Sequence, residues 1–204
     1  MKLPLGQMNI PRHTFLFTLC IASAAFAPMI TSAMKIIKKG DSVGIFYVTK
    51  IAGAETDGVK PGQRLCYRCR YGSRPMVMVF ARKMGQPLGD LVRYLDQTIS
   101  ENKSSRVKGL VTLLGDDQEI LKQSATQLLE DTRAKDIPLA IATEMGVRAN
   151  QYELPEGAEV TIVVAKDSRV LHTLVYDVDK IDLEAVQAEV QAIVQSKSGR
   201  VRSR

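Results

Sequence analysis

Cys66 and Cys69 stand in the stretch GQRLCYRCRYGSRPMVMVF, residues 62 to 80, with Arg64, Arg68, Arg70 and Arg74 around them. Two cysteines at this spacing support three chemistries: thiol–disulfide exchange, a structural cross-link, or metal ligation. Positive neighbours favour thiolate over thiol, and thiolate is the nucleophile of exchange, so the four arginines are candidate thiolate-stabilising groups. The same side chains would equally suit a solvated surface around a short loop pinned by a disulfide. Geometry adds a condition. In an extended strand the two Cα atoms would lie about 10 Å apart, beyond the roughly 7 Å limit for a disulfide, so a bond requires a turn or a helical bend.

Other chemistries find fewer residues. A tetrahedral zinc site needs four ligands, and beyond residue 33 the chain offers Cys66, Cys69 and one histidine, His172, far along the sequence. Two thiolates alone suit cuprous copper, which keeps copper handling as a lesser alternative. Covalent haem attachment would need histidine where Arg70 stands. No serine sits in a nucleophile elbow, no glycine-rich phosphate loop is present, and no cofactor is expected.

The first 33 residues differ from the rest. Lys2 and Arg12 precede an uncharged run from Thr14 to Ala33 with small-x-small cleavage sites, the pattern of an export signal, with Thr31-Ser32-Ala33 before Met34 preferred for cleavage. An uncleaved anchor is the alternative, and would be the protein's one link to a membrane. Either places the domain beyond the cytoplasmic membrane, periplasmic or secreted, where a lone cysteine pair is a disulfide or a dithiol kept reduced by a partner. Removing Lys2 and Arg12 lowers the formal charge from +6 to +4, and Lys197, Arg200, Arg202 and Arg204 of the tail equal that excess. A near-neutral body argues against nucleic-acid binding. The tail, residues 197–204, reads as a solvated basic terminus.

Between these ends the periodicity predicts one domain over residues 40–196. A strand near Ile45 to Lys50 opens an N-terminal hairpin. MVMVFA, 76–81, is apolar on both faces, as a central strand covered by helices on each side must be. A helix over 88–102 presents Leu88, Leu91, Val92, Leu95 and Ile99; RVKGLVTLLG is a strand; a helix beginning near Asp116 and Asp117 turns Ile120, Leu121, Leu128 and Leu129 inward. IPLAIATE is a third strand, and Met145 to Gly157 reads as irregular. Two strands with a Lys-Asp-Ser turn follow, then a helix over 182–196.

That order, hairpin, βαβαβ, ββα, with a C-x-x-C, resembles the thioredoxin-like superfamily, and within it the exported peroxiredoxin and thiol-reductase branch. Gly40, Asp41, Gly44 and Phe46 match its G-D-x-x-G-x-F opening, and Asp136-Ile137-Pro138-Leu139 its entry to the third strand. The resemblance implies an α/β thioredoxin-like fold, a central mixed sheet flanked by helices. It also marks departures. The segment where related proteins carry the reactive cysteine reads Ala81-Arg82-Lys83-Met84-Gly85-Gln86-Pro87, and the P-x-x-x-T-x-x-C motif is absent, which argues against peroxiredoxin peroxidase chemistry. The family's cis-proline position holds Val160, before Thr161, and the nearest proline is Pro155.

The resulting expectation is an extracytoplasmic thiol–disulfide oxidoreductase acting on thiols or disulfides of exported proteins, with Cys66 attacking and Cys69 resolving. The alternative is a redox-inactive binding or scaffold module with a structural disulfide. A compact linker from Arg70 to Pro75 would leave the cysteines near the end of the sheet opposite the usual site.

Overall fold

A computed structural model describes residues 37–148 and 153–196. The expected export signal and basic tail lie outside them. The described chain forms one mixed sheet of seven strands: β1 Val48–Ala52, β2 Arg64–Leu65, β3 Met76–Ala81, β4 Lys108–Leu114, β5 Leu139–Ala142, β6 Val160–Lys166 and β7 Arg169–Tyr176. Their order across the sheet is β2-β1-β5-β4-β3-β6-β7. β3, β4 and β5 run parallel, joined by the helices α2 Gln86–Glu101 and α3 Gln118–Thr132. β6 and β7 form an antiparallel hairpin beside β3, and β1 lies antiparallel on β5. This is the α/β thioredoxin-like architecture expected from the sequence.

Strand alternation divides the core in two. Val77, Val79 and Ala81 of β3 face α2, α3 and the C-terminal helix α5, Leu183–Gln195, while Met76, Met78 and Phe80 face the other way. Both sets are buried, which is why MVMVFA carries no polar residue. The second face is covered by two five-residue helices, α1 Tyr67–Tyr71 and α4 Glu144–Arg148, and by an extended segment near the N-terminus of the domain. That segment first lies along β7, where Gly40 N–H donates to Val170 O and Val170 N–H to Asp41 O, and Ser42 bridges Arg169. It then crosses the face, packing Phe46 on Phe80 with ring centroids 5.3 Å apart, and enters β1 on the other side.

Helix starts follow their caps. Asp117 accepts from the N–H groups of Glu119 and Ile120, and Asp182 from that of Ala185. The Asp117 cap also corrects one expectation. It sets the phase of α3 so that Leu121, Ala125, Leu128 and Thr132 turn toward the core, and Ile120, expected inward, is left 59% exposed. Two further expectations change. The strand expected from Ile45 begins at Val48, because the preceding residues cross the face instead of pairing. The stretch from Met145, expected to be irregular, continues α4, whose turn is held by the Thr143 hydroxyl accepting from Gly146 N–H.

Candidate functional site

The cysteines meet at the start of α1. Cys66 is the cap of that helix and Cys69 its third residue, so one helical turn brings their Cα atoms to 5.3 Å and the sulfurs are bonded. This is the bend the spacing demanded. Cys66 Sγ also accepts from Cys69 N–H at 3.1 Å. The two sulfurs face different surroundings: Cys66 is buried, 7% exposed, and Cys69 is exposed. That is the reverse of the exposures suited to Cys66 attacking first.

Position on the sheet departs from the expected opposite end. Leu65 pairs with Val48, and the next residue, Thr49, pairs with Ile141, so the cysteines leave the sheet at its β2 margin, level with the last residues of β5. From there α1 crosses the face toward the starts of β3 and β4, where Tyr71 Oη donates to Gly109 O at 2.7 Å. Ala81, after which the usual site lies, is level with Leu113 and Ile141, so the cysteines start at the same end of the sheet. β2 runs parallel to β5, and the displacement is sideways, across β1, β5 and β4, not to the opposite end as expected.

The four arginines engage oxygens and a ring. Arg64 stacks over the Tyr47 ring at 4.9 Å, Arg68 Nε donates to Val43 O, Arg70 Nη2 to Asp57 O, and Arg74 Nη1 to Arg70 O. Of these contacts, those of Arg68 and Arg70 hold α1 to the neighbouring loops.

Beneath the C-Y-R-C turn lies a network that the sequence reading did not single out. Lys50, 1% exposed, points from β1 toward α1 and donates to Ala54 O, Asp57 Oδ1 and Val59 O at 2.8 to 2.9 Å. Asp57 also accepts from Val59 N–H and from Tyr67 Oη, both at 2.7 Å. Burial pushes the Asp57 carboxyl pKa up, but the bonds from Lys50, Tyr67 and Val59 outweigh it and leave the value below the ordinary one. Burial raises the Tyr67 phenol, helped by its bond to Asp57, and burial likewise raises Tyr71. A lysine in an apolar strand facing an Asp-Gly turn was the available signal.

The usual thioredoxin position, after β3, holds an ion pair in place of a cysteine. Arg82 engages both Glu144 carboxylate oxygens and donates to Pro155 O and Ala158 O, joining β3, α4 and the loop before β6. Val160 occupies the cis-proline position, and no peptide bond among the described residues is cis. His172 pairs with Glu189 at 3.1 Å, between β7 and α5. Among the described residues no group of three or more His, Cys, Asp or Glu could hold a metal ion.

Neither a family model nor a curated protein matches the chain. Solved structures do. A putative thiol:disulfide interchange protein DsbE from Chlorobium tepidum superposes with TM-score 0.56 at 14% identity, covering 78% of this chain and 99% of that one. The peroxidoxin BcpB of Mycobacterium tuberculosis gives 0.55 at 18% identity over 82% and 99%. A secreted disulfide oxidoreductase of the same organism, homologous to E. coli DsbE, gives 0.53 at 12% identity over 72% and 95%. The chain thus has the thioredoxin-like fold, shared with DsbE-like and peroxiredoxin-like proteins.

Proposed function

We propose that the protein carries out thiol–disulfide exchange through Cys66 and Cys69, with Cys69 as the sulfur that meets the partner. The difference in burial between the two sulfurs carries this reading. A partner thiolate attacks Cys69 Sγ, the Cys66–Cys69 bond breaks, and its electron pair leaves on Cys66 Sγ. There the Cys69 N–H, already within 3.1 Å, stabilises the departing thiolate, and a better leaving thiolate speeds exchange. A second thiolate of the partner then attacks the partner's own sulfur in the mixed disulfide. It forms the partner's disulfide and expels Cys69 as thiolate. The partner has lost two electrons, Cys66 and Cys69 have gained them, and the two protons lost by the partner return the cysteines to thiols. In reverse the reduced pair reduces a partner disulfide.

The partners in this reading are thiols or disulfides of exported proteins, supported by the export pattern of residues 1–33 and by likeness to a secreted disulfide oxidoreductase. The test is turnover of a protein disulfide substrate by wild type, Cys66→Ser and Cys69→Ser. Cys69→Ser loses activity, and Cys66→Ser accumulates a mixed disulfide on Cys69. Undiminished turnover in Cys69→Ser would end the proposal.

The placement of the arginines favours a second reading, a structural disulfide in a binding module. A reduction potential below about −300 mV would support it, since structural bonds sit there and exchanging ones higher.

A further inference from the structure

We propose that the end of the sheet where β3 and β4 begin binds a small molecule carrying two phosphate-class groups, seated between Arg74 and Arg106. Two cavities of about 370 and 360 Å³ adjoin there and share these two arginines. Volumes of this order suit small ligands. Lys166 and Asp167 line the first cavity, and Lys103, Lys108 and Asp136 the second, so five cations face two carboxylates. No hydrogen bond or ion pair ties the side chains of Lys103, Arg106 or Lys108 to another described residue. Arg74 makes one long contact, 3.3 Å, to Arg70 O. Lys166 Nζ donates to Ser196 O and Oγ, leaving one of its three protons for a ligand.

The backbone is special at the same place. Arg106 adopts φ +55, a left-handed conformation uncommon for a residue with a β-carbon, where the 3-10 turn Lys103–Ser105 ends. Such strain gathers at ligand sites and fixes where the side chain starts. Guanidinium forks match phosphate or sulfate oxygens, and the hydroxyls of Ser73 and Ser104 in the first cavity are further donors. The positive excess excludes a metal cation, and the polar lining excludes an apolar ligand. Two cavities joined at shared arginines fit two linked anionic groups better than one.

Inorganic pyrophosphate is the probe, titrated calorimetrically against the protein at low ionic strength, with orthophosphate and succinate as comparisons. One equivalent binds, about tenfold or more tighter than either comparison, and Arg106→Glu weakens it by about tenfold or more. Lys122→Glu, the same charge change on exposed α3, leaves binding unchanged, as does replacing Lys197, Arg200, Arg202 and Arg204 with Gln. Absence of saturable binding to wild type overturns the proposal. So do equal losses in Arg106→Glu and Lys122→Glu, or loss confined to the tail variant. If Arg106→Glu fails to fold, pyrophosphate-induced amide shifts in wild type decide: they centre on residues 103–108, and shifts elsewhere alone sink the idea. Cys69→Ser binds pyrophosphate normally, which separates this site from the redox reading.

Discussion

Tyr67 Oη lies 2.7 Å from Asp57 Oδ2, tying the residue that follows Cys66 to the turn after β1, and the other Asp57 oxygen is held by the buried Lys50 ammonium. The cysteine turn thus rests on a charge pair, with a phenol between them.

Removing the cation is the direct test. Lys50→Met leaves Asp57 without its counter-ion and takes the lysine donor from the Ala54 and Val59 carbonyls, of which Ala54 keeps the Asp57 N–H. Asp57 is partly exposed and keeps its bonds from Tyr67 and Val59, so losing the buried cation costs about 1.5 to 3 kcal/mol, read as a lower urea midpoint at unchanged slope.

Asp57 also sets an acid limb. Its folded pKa lies below the ordinary 3.8, so its contribution is complete above that value and is lost as pH falls through the folded value. The urea midpoint stays level from pH 7 to about 5 and drops below about 4. Asp57→Asn gives a shallower drop over the same range.

Two phenols set the alkaline limb. Tyr67 and Tyr71 have raised folded pKa values, so their contribution is full below the ordinary 10.0 and is lost as pH climbs above it. Absorbance of phenolate from these two residues appears together with loss of far-UV ellipticity. Their titration near the ordinary value of 10.0 with ellipticity unchanged would contradict the burial argument.

Reducing the disulfide costs a similar amount. Closing so short a loop stabilises by about 2 kcal/mol, and the contacts of Tyr67 and Tyr71 keep α1 in place. After reduction, alkylation followed by mass spectrometry finds Cys69 modified well before Cys66. Equal rates would mean that α1 has come away.

Gly53 ends β1 at φ +71, where an added β-carbon would lie 2.3 Å from Ile137 O. Gly53→Ala destabilises by about 1 to 3 kcal/mol by thermal denaturation, since neither backbone can yield. Gly40, also at positive φ but with open space around it, tolerates alanine better.

Most of the sheet and its long helices were readable because each is a local pattern. MVMVFA can only be a strand buried on both faces, and Leu88 to Ile99 can only be one helical stripe. Strand and helix order then made the fold legible. The site was legible as a pair of residues but not as a surface. Which sulfur is buried depends on how Leu65 registers on Val48, and where each arginine points depends on carbonyls as distant as Val43 and Asp57. Lys50 was missed for the same reason: a lysine in an apolar strand finds its acceptors seven and nine residues later, across a turn whose shape periodicity does not encode.

The path of residues 37–48 makes one stretch of chain the fastening for both margins of the sheet. Its first part seals the outer side of β7, and its last part delivers β1 to the opposite margin, which carries β2 and hence the cysteine turn. A single protease nick at exposed Ile45 or Tyr47 would slacken both margins at once, although neither bond lies in a strand. In mechanical terms the domain behaves as a buckled belt, and the disulfide hangs from its free end.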